Sequence, residues 1–416
     1  MGAPPAVVWV MRGVIVNQQL RRGGGSGGFG MWAPLVGLSV AAFIFNTSEF
    51  IPTGLLSDIA ASFALNEAQA GTMISVYALA VLVLSVPLMV VCSRFDPKRL
   101  LLGVIGLFLA GQVLSAVAPT FELLVAARLL VAAAHAVFWS IASPYASRIA
   151  DESHASLAMS MVVTGTSVAM ILGMPLGRVI GLALGWRMTF VCVAVVAGAV
   201  LLLLAAVMPR LDRGEPFSVR ELPSLMKNGG LVAIYVATVL VATGYYTGYS
   251  YIEPFMQQVA HLAAGEVTAA LTVFGCAGIV GSLLFSRCFD GHRAAFIRIM
   301  VGGVAAALAL MLPASASFAS ACAVCALWGL CATAFNVAFQ AEIIRLAPPE
   351  AAAVAVSIFS GLFNLGISLG TWLGGTVVTG PGIGLVGVVG AAVAFAGLVC
   401  CVMLIGRPRR GVSLSR

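Results

Sequence analysis

The feature that most constrains this chain is a succession of apolar segments, each long enough to cross a bilayer as a helix, which takes about 20 residues. Such segments, separated by charged or Pro/Gly breaks, lie near 33–56, 69–91, 100–118, 123–146, 157–182, 187–208, 229–252, 267–286, 295–313, 318–345, 352–376 and 383–405. The apolar stretch from Ala351 to Ile405 holds two of them, because Gly380-Pro-Gly-Ile-Gly favours a turn. Composition closes off a soluble alternative. The chain is 61% hydrophobic and 9% charged, whereas soluble domains carry about 25% charged residues. A 416-residue chain has no interior large enough to hide that much apolar surface, so lipid must be its solvent. The expected fold class is an all-α membrane protein with twelve transmembrane helices.

Lysine and arginine set the expected orientation. With the N-terminus inside, the inner segments carry 19 of the 22 Lys and Arg. The outer segments carry Arg178 and Arg187, and Arg128 falls within a span. A bias this strong predicts cytoplasmic termini and an even number of spans. The longest polar link, 209–228, divides the chain into an N-terminal half (33–208) and a C-terminal half (229–405) of six spans each. Residues 1–32, with Arg21-Arg22 and Gly23-Gly-Gly-Ser-Gly-Gly, read as a flexible cytoplasmic extension, with Met31 a candidate start; 406–416 read as a cytoplasmic tail.

Several functions are disfavoured. The net charge of +7 is scattered and forms no basic face for nucleic acid. Four well-separated histidines offer no metal box, and Cys322-x-x-Cys325 sits within an apolar run without a second pair. No G-x-x-x-x-G-K-[S/T] is present for nucleotide-driven transport. An enzyme would need clustered acid and base groups at a membrane edge. A pore would not need duplicated halves with buried titratable groups in one of them. The expected partners are protons, a small polar solute and the bilayer. No cofactor beyond a proton gradient is expected, and the chain is read as a monomer.

An internal repeat supports two halves. Ser93-Arg94-Phe95-Asp96 links spans 2 and 3, and Ser286-Arg287-Cys288-Phe289-Asp290 links spans 8 and 9, 193 positions on (286 − 93). Span 5 carries Gly173, Gly177 and Gly181, and span 11 carries Gly366, Gly370 and Gly374, again 193 apart (366 − 173). Glycines four apart make a smooth groove for a neighbouring helix. One triplet is ordinary membrane packing; two at an offset set independently by the loops indicate duplication. Two such halves around a midplane site are the architecture of alternating-access transporters.

At these residues the chain resembles the major facilitator superfamily. The Arg94/Asp96/Lys98-Arg99 link is similar to its signature loop, with Ser93 in place of the usual leading glycine. Arg128 resembles its membrane-embedded arginine, and Gly173-Met-Pro175-Leu-Gly177 its span-5 antiporter motif with Met174 interposed. These features resemble the drug:proton antiporter branch. The chain is more similar still to bacterial sugar efflux transporters, of the type that exports arabinose and isopropyl thiogalactoside. The resemblance runs over about 33–405 and is carried by Ala41-Ala-Phe-Ile-Phe-Asn46-Thr-Ser-Glu49-Phe, Gly54-Leu-Leu-Ser-Asp58, Ala134-His135-Ala-Val-Phe-Trp139, Pro175-Leu-Gly-Arg178, Gly185-Trp-Arg-Met-Thr-Phe190, Tyr249-Ser-Tyr-Ile-Glu253 and Phe359-Ser-Gly-Leu-Phe-Asn364. It implies a twelve-span fold and proton-coupled export.

An ionisable side chain at membrane depth is a functional candidate by default. Glu49 in span 1 and Arg128 in span 4 are expected at one level, with His135 two turns from Arg128 on the same face and Trp139 one turn further. A carboxylate there is favoured by a fixed arginine and penalised by burial, so a cavity that opens and closes shifts the balance and moves a proton. Glu49, Arg128 and His135 are therefore the proton-coupling candidates; a fixed Glu49–Arg128 brace is the bland alternative. Asn46, Trp139, Tyr246, Tyr249, Asn336, Gln340 and Asn364 are the candidate substrate contacts, with Thr53, Ser250, Glu253 and Ser360 extending their stripes. Amides and hydroxyls beside aromatic faces suit a polyol, although Asn and Gln also simply bond neighbouring helices. Arg94, Asp96, Arg287, Asp290, Gly173, Pro175, Gly177 and Arg178 are read as latch or gate residues, and Glu342 as a partner of Arg345. The resulting expectation is proton antiport of sugars or similar solutes, with multidrug export as its rival.

Overall fold

The computed structural model describes residues 28–92, 95–149, 155–209, 225–348 and 351–404. Twelve long helices account for most of them. In the first half these are α1 (Gly28–Gly54), α2 (Glu67–Cys92), α3 (Pro97–Val117), α4 (Phe121–Ile149), α5 (Ala155–Leu184) and α6 (Trp186–Val207). In the second they are α7 (Gly229–Tyr249), α8 (Ala264–Cys288), α9 (Arg293–Ala314), α10 (Phe318–Leu346), α11 (Ala352–Thr379) and α12 (Val386–Leu404). Eleven are long and apolar enough to cross a membrane; in α5 the apolar stretch among described side chains is Ile171–Leu184. The protein is thus an all-α, multi-pass membrane protein. The helix of α1 begins at Gly28, so the last residues of the expected flexible extension are helical.

The apolar core forms two clusters, one within the first half and one centred on the second that also takes in Ala70, Ile74 and Met174 of the first. One gathers residues such as Leu38, Phe45, Phe108, Phe138 and Phe190; the other Tyr245, Trp328, Phe335 and Phe339. Phe45 of α1 is stacked between Phe108 of α3 and Phe138 of α4, at 4.0 and 4.2 Å. The same pairings recur in both halves: α1 on α5 and α7 on α11, α2 on α4 and α8 on α10, α3 on α6 and α9 on α12. The halves meet where α2 lies on α11 and α5 on α8, a pair of contacts that exchange under the same pseudo-symmetry.

The glycine triplets are the contact surface. Gly173, Gly177 and Gly181 lie on Thr47, Ile51 and Leu55 of the α1 segment; Gly366, Gly370 and Gly374 lie on Ala242, Thr243 and Thr247 of α7. Because 47, 51 and 55 correspond to 243, 247 and 251, the first helices of the halves are offset by 196, three more than α5 and α11 (243 − 47 against 366 − 173). Both first helices also break in the same place. Leu55 and Tyr251 leave helical geometry, at φ −132° and −115°, and short helices Leu56–Ser62 and Ile252–Gln258 follow.

Side chains tie the loops at each end of the bundle. At the end where α1 starts and α12 ends, Lys98 donates to Met208 O, Tyr145 to Pro209 O and Asn228 to Leu346 O. At the far end, Trp186 donates to Ser62 and Arg187 to Ala118 O. Gly185 makes the tight far-end turn between α5 and α6 at φ 89°, a conformation that a side chain would strain.

Candidate functional site

The site begins with a missing hydrogen bond. Pro52 lies inside α1 and has no N–H, so the carbonyl of Ser48, four residues earlier, lacks its helical donor. Arg128 of α4 supplies one: Nη2 donates to Ser48 O at 2.9 Å and Nη1 to Ser48 Oγ at 2.8 Å. Gln112 of α3 donates to the same hydroxyl at 2.6 Å. The guanidinium is 2% exposed and lies over the ring of Tyr77, 4.7 Å from its centre. Arg128 and Ser48 together therefore tie α1, α2, α3 and α4. Among the described residues no carboxylate is paired with Arg128, so the alternative of a fixed Glu49–Arg128 brace is not formed.

Glu49 turns instead toward His135, with Oε2 3.8 Å from Nε2. The imidazole has two closer partners, the Tyr77 hydroxyl at Nδ1 (2.9 Å) and the Trp139 indole N–H at Nε2 (2.8 Å). Arg128 is about seven residues from the far end of α4, or about 10 Å along the axis, and His135 lies two turns deeper. Glu49, Phe50, Pro52 and Thr53 of α1, Met73, Ile74 and Tyr77 of α2, and Arg128 line a narrow cleft. Tyr246 of α7 and Ile367 of α11 close it from the other half. Glu49, Arg128 and Tyr246 thus share one space, and His135 and Trp139 adjoin it through Glu49.

The other expected contacts are arranged differently. Tyr249 belongs to an aromatic cluster with Tyr245 (4.9 Å, stacked), Phe274 and Trp328, and Tyr246 reaches Phe363. The amides are largely occupied by the helices. Asn46 donates to Ala42 O and to Thr166 of α5, Gln340 donates to Asn336, and Asn364 donates to Ser360 O. Asn364 Oδ1 is buried and has no partner among the described residues. The stripe expected from Tyr246 through Glu253 does not hold, because the helix breaks at Tyr251. Ser250 turns to Thr371 at 2.6 Å instead.

Glu253 and Arg178 are fully buried and paired across the halves, 3.0 Å apart. The break after α1 prepares this contact. It frees the carbonyl of Gly54, which accepts from Arg178 at 2.6 Å, and the N–H of Ser57, which donates to Glu253 at 3.1 Å. Gln257 also donates to Glu253. Ser57 and Glu253 are equivalent positions at the 196 offset, so they meet next to the pseudo-two-fold axis. At the position equivalent to Arg178 stands Thr371, which closes the break of its own half (371 − 178 is 193).

The expected loop latches are local. Asp96 caps α3 by accepting from Arg99 N, Asp290 pairs with Arg293 at 3.7 Å, and Arg287 is exposed. Arg94 lies outside the described residues. Glu342 pairs with Arg345, as its spacing suggests. Gly173 and Gly177 serve packing. Pro175 deprives the Ile171 carbonyl of its helical donor at the point where Gly275 of α8 passes close. Sequence reading missed Ser48, Tyr77 and Gln112. Pro52 four residues after Ser48 was the available signal for the first, and an isolated amide in an apolar helix for the last.

The sequence profile of the Major Facilitator Superfamily matches residues 38–358 and 234–416. Among solved structures, a bacterial homolog of the human lysosomal transporter Spinster, in an inward-facing and unoccupied conformation, superposes with a TM-score of 0.69 at 16% identity, covering 92% of this chain and 96% of that one. The nucleoside transporter NupG gives 0.72 at 15% identity, over 89% and 100% of the two chains. A peptide transporter, POT, in complex with alafosfalin gives 0.71 at 13% identity, over 92% and 95%.

Proposed function

The chain belongs to the Major Facilitator Superfamily, and from that premise we propose that it is a proton-coupled antiporter exporting sugars or similar small polar solutes by alternating access. One observation carries the coupling: Glu49, His135, Tyr77 and Arg128 form a buried cluster whose carboxylate opens onto the cleft between the halves. A proton taken by Glu49 or His135 changes the charge of the cleft wall beside the fixed Arg128, and so changes which state of the cavity is stable. The far-end pair Arg178–Glu253 closes one mouth of the cavity and must part for solute to pass that way. The tyrosine rings and hydroxyls, with the free Asn364 oxygen, offer a sugar its apolar face and hydrogen bonds. In this reading the lysine- and arginine-rich end, where α1 starts and α12 ends, faces the cytoplasm across a bacterial inner membrane.

A second reading has its own observation. Asn46, Asn336 and Gln340 are engaged within the helices, while the C-terminal wall is a cluster of six-membered and indole rings. That favours flat apolar cations or drugs. Both readings are tested with the full chain in proteoliposomes carrying an internal pH indicator, screened with arabinose, isopropyl thiogalactoside and lipophilic cations. Proton movement driven by a sugar, lost in Glu49→Gln and His135→Ala, supports the first reading. The same response to lipophilic cations alone supports the second. Solute flux indifferent to the proton gradient in all variants would overturn the coupling.

A further inference from the structure

One atom of the cluster has two claimants. His135 Nε2 lies 2.8 Å from the Trp139 indole nitrogen and 3.8 Å from Glu49 Oε2. An indole N–H can only donate, so the lone pair of Nε2 must accept it. A neutral imidazole then carries its proton on Nδ1, where it points at the Tyr77 hydroxyl oxygen 2.9 Å away. The hydrogen-bond geometry leaves no other arrangement that satisfies all three groups.

We propose that Trp139 is a positioning residue for proton coupling: its indole N–H and the Glu49 carboxylate are alternative partners of His135 Nε2, and the indole must leave before His135 can be protonated. The inference deepens the proton-coupled reading and rests on it for its consequence in transport. The step balances simply. A hydronium ion in the cleft gives its proton to the Nε2 lone pair and leaves as water. With the indole already displaced, Nε2 becomes a donor and its new N–H turns to Glu49 as an ion pair. Nδ1–H stays on Tyr77 throughout. While Trp139 is in place the acceptor open to a proton is Glu49; once it moves, His135 and Glu49 hold the proton together.

The surroundings fit this assignment. Among the described residues the groups facing His135 are Glu49 from α1, Tyr77 from α2, and Arg128 and Trp139 on its own helix. The charged residues of α3 are Lys98 and Arg99 at its start, and Arg178 of α5 is committed to Glu253. Among the described residues no further charge competes for Nε2. His135 is 6% exposed, whereas Trp139 is only half buried, so the indole is the member of the cluster that a solute in the cavity can displace.

The test is long-range proton–nitrogen correlation of the imidazole rings in the purified full chain, labelled at histidine. The chain has four histidines, and His135→Gln assigns the signal. The expected wild-type ring is neutral with its proton on Nδ1. In Trp139→Phe, which keeps a ring but removes the donor, proton affinity at His135 rises about two- to tenfold, the worth of one hydrogen bond. Adding Glu49→Gln cancels that gain. A wild-type ring protonated on Nε2, or an affinity unchanged by Trp139→Phe, overturns the inference. If the variant does not fold, the wild-type tautomer alone decides. The outcome is separable from the transport reading: the tautomer can be as stated in a protein whose vesicles show no proton coupling, and the converse.

Discussion

At the scale of single residues, the site is organised by an acceptor that its own helix cannot use. Ser48 O is left open by Pro52, and the planar fork of Arg128 takes both that oxygen and the Ser48 hydroxyl. Arg128→Lys keeps the charge and loses the fork. One charge-assisted bond is worth about 1.5–3 kcal/mol, so the variant should melt at lower temperature and transport at least about tenfold more slowly, measured by thermal unfolding in detergent and by initial rates in vesicles. Unchanged rates would show that charge alone suffices. The sequence marked Arg128, Glu49 and His135 because ionisable groups in apolar runs are costly and rare. It paired Glu49 with Arg128 because depth along two helices was the available measure. Rotation about each helix axis decides partners, and that depends on packing between α1, α2 and α4, which no spacing within one segment records. Hence Tyr77 and Ser48 went unnoticed, although each touches a residue that had been singled out.

At the scale of elements, the glycine triplets set how closely α1 meets α5 and α7 meets α11. They are not equally strict. A methyl group at Gly177 would meet the side-chain carbon of Ile51 at 2.7 Å, which can rotate away. At Gly370 it would meet the Tyr246 Cβ at 2.9 Å and the Thr247 backbone nitrogen at 3.0 Å, which cannot. Gly370→Ala should therefore destabilise the protein by about 1–3 kcal/mol, the usual range for overpacking, and Gly177→Ala by clearly less. Equal melting shifts would refute this ranking. Because Gly370 backs Tyr246, the same variant should also disturb the cleft. Twelve helices and their approximate ends were legible in sequence because apolar length is a local property. The breaks at Leu55 and Tyr251 were not, because they are stabilised from other helices: Arg178 donates to the Gly54 carbonyl at the first, and Thr371 bonds the Ser250 hydroxyl and accepts from the Tyr251 hydroxyl at the second.

At the scale of the whole molecule, the two halves share one arrangement and differ in what they do with it. Equivalent positions 178 and 371 both serve the broken first helix of their half, yet Arg178 also reaches across to Glu253 while Thr371 stays at home. The repeat read from loops and glycines revealed the duplication; this asymmetry needed the three-dimensional neighbours of position 178. The clamp has the character of a contact built to part. Arg178 Nη1 carries both of its bonds, and Nε and Nη2 have no partner among the described residues. Removing one member of a buried pair typically costs about 3–5 kcal/mol, whereas replacing both by apolar groups is often neutral. Glu253→Gln should thus bias the bundle toward separation at the far end, and Arg178→Leu with Glu253→Leu should be the more stable of the two. Spin labels at the half-buried Glu67 and the exposed Gln258, which are hydrogen-bonded to each other across the halves there, report the outcome. The single variant should show a longer and broader distance distribution than the parent. If the distribution stays narrow and short while the pair is broken, the far end is held by the packing of α2 on α11 and α5 on α8, and the Arg178–Glu253 contact is an accessory to closure with no hold over it.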